Sequence, residues 1–189
     1  VTEGSTSKSR TNKNGVQYGQ TVISQCPTAN SVNVSRIQSL IARMGFCGGS
    51  SGKNHYFSAR LITNFVDKEI GHGAENKRLP IHLVNHMGHH SRTIILQTMM
   101  RGDGNKTGRR YTTKSTQLKN DFLYLCFLCG VKTGSVSFDG TCWRISVRQS
   151  RTAPSVKYHS IDITKKTGTS YCFTAERDHI ICAGKNGKF

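Results

Sequence analysis

A chain of 189 residues can bury a sizeable core in one or two domains. Its 27 Lys and Arg stand against 10 Asp and Glu, and the net charge of +17, spread along the chain, is the electrostatic footprint of a nucleic-acid binder. No apolar run approaches the ~18 residues of a spanning helix and no basic amphipathic helix stands out, so a membrane partner is not expected.

The first half opens on a polar loop, Ser5 to Gly15, with no periodicity. Val16 to Gln25 is rich in β-formers and stops before Cys26-Pro27, which predicts a strand. Val34, Ile37, Leu40, Ile41 and Met44 then recur at three and four, with Ser31 or Asn33 as cap and Gly45 as stop: an amphipathic helix. Phe46 to Ser58 crosses a Gly/Ser turn into a short strand around His55-Tyr56-Phe57. Leu61, Ile62, Phe65, Val66 and Ile70 mark a second helix ending at Gly71, and Pro80 should open a further helical segment or a turn.

The stretch Ser91 to Asn105 organises the rest. Ile95, Leu96, Met99 and Met100 have helical spacing, Ser91 is a plausible N-cap, and Gly102 and Gly104 offer a left-handed stop. Asp103 then lies just past a helix C-terminus, where exposed carbonyls already carry partial negative charge. A compensating cation is expected, and Mg²⁺ suits such a place because it is commonly held by one or two carboxylates with phosphate oxygens and water. A solvated Asp-Gly turn is the plainer alternative.

Beyond Asp103 a polar loop with Lys106, Arg109 and Arg110 leads to a strand at Tyr111, then to a helix with Leu118, Phe122, Leu125 and Cys129 that stops at Gly130. A hairpin follows from Ser135 to Gln149, turning at Asp139-Gly140. Its second arm alternates Trp143, Ile145 and Val147 with Arg144, Ser146 and Arg148, a core face and a basic face. Strand, helix and strand thus occur twice, each copy preceded by an acid-glycine pair, Glu3-Gly4 and Asp103-Gly104. Seven scattered cysteines and no signal peptide favour a reduced, intracellular protein of cytoplasm or nucleoid. Cys126-x-x-Cys129 reads as core thiols, and His82, His86, His89 and His90 lack the Cys pair or Glu that a zinc site needs.

Four blocks taken in order resemble the LAGLIDADG homing endonucleases of the two-repeat form found inside inteins. Leu96-Gln-Thr-Met-Met-Arg-Gly-Asp-Gly104 is similar to the second motif, Val1-Thr-Glu-Gly4 to the tail of the first, and Lys77-Arg78-Leu79-Pro80 to the block between them. Ser170-Tyr-Cys-Phe-Thr-Ala175 with Asp178-His179 and Asn186-Gly-Lys188 resembles the strand block near an intein's C-terminus. Gln97 and Thr98 depart from the small residues the family prefers there, Glu3 replaces the commoner Asp, and the intein's N-terminal splicing half and closing His-Asn are not in this sequence.

The resemblance implies an α+β fold of two pseudo-symmetric αββαββα-type repeats with antiparallel DNA-binding sheets, followed by a short all-β Hint fragment. The endonuclease domain would span 1–150, with repeats at about 1–90 and 91–150, and the Hint fragment 151–189. Glu3 and Asp103 would meet at the ends of paired helices and share Mg²⁺, with Lys77 in support. Double-stranded DNA would lie across the sheets, contacted by Arg110, Thr112, Lys114, Arg144, Ser146 and Arg148, and by Gln17 and Gln25 in the first copy, whose faces the pattern leaves open. Cys172 and His179 match splicing-assisting positions, and an N-terminal intein segment would be the partner for splicing. No small-molecule cofactor is implied. The expected activity is metal-dependent, site-specific DNA hydrolysis; the alternatives are a cleavage-deficient nucleic-acid-binding relative and a passenger in a splicing element.

Overall fold

The computed structural model describes residues 4–11, 17–148, 165 and 167–169. The elements are β1 (Gly4–Thr11), β2 (Gln17–Ser24), α1 (Ser31–Arg43), β3 (Gly48–Ser51), β4 (Asn54–Ser58), α2 (Arg60–Phe65), α3 (Ile81–His86), α4 (His89–Asp103), β5 (Arg110–Thr113), α5 (Thr116–Leu128), β6 (Lys132–Phe138) and β7 (Trp143–Arg148). They form a mixed fold with two antiparallel sheets, one ordered β1-β2-β4-β3 and the other β5-β7-β6. The chain beyond Arg148, including the expected Hint fragment and the domain boundary at 150, lies outside the described elements.

Periodicity located most elements. In the first sheet Thr21 faces Phe57 and Ile23 faces His55, and Thr21, Phe57 and His55 are buried while Ser24, Asn54 and Ser58 are exposed. The polar loop expected at Ser5 to Gly15 is instead strand β1 through Thr11, paired with β2 from Gly4 opposite Ile23 to Thr11 opposite Gln17. An edge strand takes its hydrogen bonds from one neighbour and needs no apolar alternation, so a Ser/Thr-rich segment can fill it. The helix expected to run to Ile70 is α2 followed by a single π turn, Val66–Ile70, and ends at Gly71 with φ +86°.

In the second half α4 begins at His89 with Gly88 at its N-cap, three residues before the expected Ser91 cap. The reason is Arg92, whose guanidinium donates to Val84 O and Asn85 O at 2.9 and 2.7 Å, satisfying the end of α3 and holding the two helices in a tight corner. The polar loop and single strand expected around Tyr111 form as β5, where the resemblance implied two strands. Asn105 Oδ1 accepts from the amides of Arg109 and Arg110 at 2.9 and 3.0 Å, closing a tight turn, and the missing strand shrinks to a bridge between Gly104 and Tyr111. Over the described residues the second half therefore reads α-β-α-β-β, where the resemblance implied αββαββα.

The principal core lies here. Leu79, Val84, Leu96, Met99, Tyr111, Leu118, Phe122, Leu125, Cys126, Ile145 and Val147 form one cluster, with Tyr111 stacked on Phe122 at 3.9 Å. Ser115 caps α5, its Oγ accepting from Leu118 N at 3.0 Å. Trp143 pins the β6–β7 hairpin to α5: its Nε1 donates to Thr116 Oγ1 at 3.1 Å and its ring lies 4.2 Å from the Lys119 ammonium.

Candidate nucleic-acid interface and acidic site

Strand alternation gives the second sheet its open face. In β5, Tyr111 and Thr113 are buried, whereas Arg110 is exposed and Thr112 half-exposed, with exposed Lys114 just past the strand. In β7, Ile145 and Val147 are buried while Arg144 and Arg148 are exposed and Ser146 half-exposed. Register puts them side by side: Arg110 opposite Ser146, Thr112 opposite Arg144, Lys132 opposite Arg148, and Ser137 opposite Arg144. The Ser135 and Ser146 hydroxyls, 3.0 Å apart, extend the same polar surface. The hairpin predicted from Ser135 extends back to Lys132, because a bulge between Thr133 and Val136 lets the strand reach further.

The cations differ in their freedom. Arg144 Nη2 lies 2.6 Å from Asp139 Oδ2. The amides of Cys142 and Thr141, donating to Asp139 Oδ1 at 2.7 and 2.9 Å, and the Arg144 charge hold the Asp139 carboxyl below its usual range. The Asp-Gly turn is formed as expected, with Gly140 at φ +91°.

Asp103 is the last residue of α4, half-buried, beside the end of this sheet where Gly104 bridges Tyr111. The stop is not left-handed: Gly102 is helical and Gly104 has φ −82°. Glycine is required at 104 by contact, since a Cβ there would stand 2.1 Å from the Met100 carbonyl oxygen. Burial raises the Asp103 pKa, and the charge of Lys77 opposes that rise. The charge of Lys77 thus acts on Asp103 from a separate segment of the chain. Next to them opens a cleft of about 1070 Å³, lined by Gly102, Gly104 and the basic residues Arg101, Lys106, Lys132 and Arg148.

Among the described residues no group of three His, Cys, Asp or Glu could hold an ion. A hard ion that keeps most of its water fits the site better, because it needs one carboxylate oxygen, and a half-buried carboxylate at a helix C-terminus gains from a cation. Glu3, Cys172 and His179 lie outside the described residues. Gln17 begins β2 opposite Thr11, and Gln25 is buried just past that strand, where it offers little surface to DNA. Among the described residues the four histidines enter no group of three metal-ligating side chains, and Cys126 is a core thiol whose pKa burial pushes up to about 12.

The arrangement defines a two-sheet α+β fold with a basic open face and an acid at its end. No protein-family model matches the chain, and no curated protein sequence matches it. Solved structures of the LAGLIDADG homing endonuclease I-DmoI do match. One, an alanine variant in complex with its target DNA in the presence of manganese, superposes with a TM-score of 0.54 at 12% identity, covering 78% of this chain and 81% of that one. I-DmoI with DNA and manganese gives 0.51 at 12% identity over 77% and 81%, and mesophilic I-DmoI variants give 0.50 at 12% over 75% and 79%. The chain therefore has the homing-endonuclease fold of I-DmoI. Among the described residues no helix is long and apolar enough to cross a membrane.

Proposed function

We propose that this chain is a site-specific endonuclease for double-stranded DNA, using Asp103 to hold Mg²⁺ and Lys77 as a supporting cation. The observation that carries the reading is the juxtaposition of a register-aligned basic sheet face with a half-buried carboxylate at its end, on the fold of a nuclease whose structures hold target DNA. An antiparallel sheet can follow the major groove, where Arg and Lys read guanine and phosphate. When bound, Mg²⁺ would polarise the scissile phosphate and lower the pKa of attacking water. Asp103 orients its carboxylate, Lys77 balances charge beside it, and Arg110, Arg148 and the cleft cations hold the backbone in line. Glu3 is proposed as the second carboxylate, from the family resemblance.

The test is cleavage of a randomised-site plasmid library with and without Mg²⁺. Asp103→Asn keeps size and hydrogen bonding but removes charge, and should lower cutting by about 100-fold or more while leaving DNA affinity within about two-fold. Full cutting by this variant overturns the role of Asp103. Tight binding by the unaltered chain with no cutting in any divalent metal supports the binding-only alternative.

The intein context is proposed from the resemblance of residues 170–188 alone. Adding the upstream splicing half and downstream residues should ligate flanking segments, with Cys172 and His179 required. No ligated mass from well-folded pieces would leave a free-standing endonuclease.

A further inference from the structure

Residues 77–79 are held by a helix distant in sequence. Asp121 Oδ2 accepts from Leu79 N at 2.8 Å, and Gln117 Nε2 donates to Asp121 Oδ1 at 2.7 Å. Ser115 Oγ donates to Lys77 O at 2.6 Å while capping α5. Arg78 is tied on the other side, its amide to Ile70 O at 2.9 Å and its guanidinium to the carbonyls of Glu69 and Lys68. Leu79, Ser115 and Asp121 are all buried.

A carboxylate is a costly way to hold one backbone amide. Burial raises the Asp121 pKa, and the bonds from Leu79 and Gln117 only partly offset it. Both carboxylate oxygens are engaged within the protein, so Asp121 does not offer itself as a ligand for anything outside. What its carboxylate gains is a strong, directional hold on a segment of irregular backbone. That segment ends at Lys77, whose charge acts on Asp103.

We infer that Asp121, with Ser115, is a positioning residue that fixes the backbone of residues 77–79 against α5 and so carries the Lys77 ammonium to the acidic end of α4. This rests on the reading of Asp103 as the reacting centre. Asp121 itself reaches neither substrate nor metal.

The test uses the full chain with Asp121→Ala, Asp121→Asn, Lys77→Met and the Asp121→Ala/Lys77→Met double variant. Asp121→Asn keeps an oxygen for Leu79 N, and Gln117 can turn its amide to match, so this variant should fold and keep at least about a third of the single-turnover cleavage rate. Asp121→Ala should speed exchange of the Leu79 amide about ten-fold or more and slow single-turnover cleavage about ten-fold, with DNA affinity within about two-fold. In the Lys77→Met background the same change should cost no further rate, because Asp121 acts through Lys77. Equal losses in the two backgrounds, or unchanged Leu79 exchange, overturn the proposal. If the unaltered chain cuts no DNA, the functional reading falls and the positioning role is judged on dynamics alone. Asp121→Ala must then still release the Leu79 amide and lower the ¹⁵N order parameter of the Lys77 ammonium, and an unchanged order parameter overturns it.

Discussion

Tyr111 lies fully buried between α5 and the second sheet, and its hydroxyl has no hydrogen-bond partner among the described residues. Burial, then the charge of Asp103, push its pKa upward, so the ring stays neutral and contributes packing only. Tyr111→Phe keeps the stack on Phe122 and removes an orphaned polar atom, so urea denaturation should show stability unchanged or raised by up to about 1 kcal/mol. A loss larger than that would mean the hydroxyl is satisfied by water. Asp103 makes the opposite trade. Its folded pKa is raised, so the native state holds the proton more tightly than the unfolded chain. Its contribution to stability is therefore greatest below the unfolded value of about 3.9 and is lost as pH rises through the folded value. Without divalent metal, Asp103→Asn should raise Tm at neutral pH by about 1–2 °C and flatten the decline above pH ~4, leaving the part due to Asp121. A lower Tm would show that attraction to Lys77 outweighs burial.

The elements that build the site end abruptly, and contact rather than propensity sets where. Gly104 closes α4 with extended backbone, and its hydrogen faces the Met100 carbonyl oxygen where a Cβ would stand 2.1 Å away. Gly104→Ala should cost about 1–3 kcal/mol in urea denaturation, because backbone must shift to relieve the clash. Gly140 differs: a Cβ there meets open space, but φ is +91°, so Gly140→Ala should cost only about 1 kcal/mol. The reverse ranking would place the strain at the hairpin rather than at the helix end. Helix α1 shows the converse case, with an amphipathic sequence of which only Ile41 is buried while Leu40 and Met44 remain exposed. Its period was readable, yet period alone does not say whether a face is covered.

Across the whole molecule, the net charge of +17 includes four cations on one sheet face, where Arg110, Lys132, Arg144 and Arg148 lie in register. Four phosphate contacts would give a logarithmic salt dependence of about −4 for binding to duplex DNA. Arg148→Ala should reduce that slope by about 1, and Arg144→Ala by less, because Asp139 already neutralises much of its charge. Fluorescence anisotropy between 50 and 200 mM salt, by order of magnitude the range in which such contacts are lost, separates the two. Equal effects would show that the Asp139 pair opens on binding.

By itself, the sequence determined what depends on neighbours a few residues away. Helical spacing in Leu96 to Met100, the Asp139-Gly140 turn, and the alternation that separates Arg144 and Arg148 from Ile145 and Val147 are local, and each is present. The Ser115 cap three residues before Leu118 was equally local and could have been read. Strand β1 could not, since an edge strand is made by its partner's hydrogen bonds and not by its own pattern. Nor could the buried fate of Gln25, the pairing of Lys132 with Arg148, or the hold of Asp121 on Leu79. Those are long-range facts: only packing of α5 against the second sheet and the 77–79 segment decides which carboxylate is buried, which cation stands beside it, and which arginines remain open to a ligand.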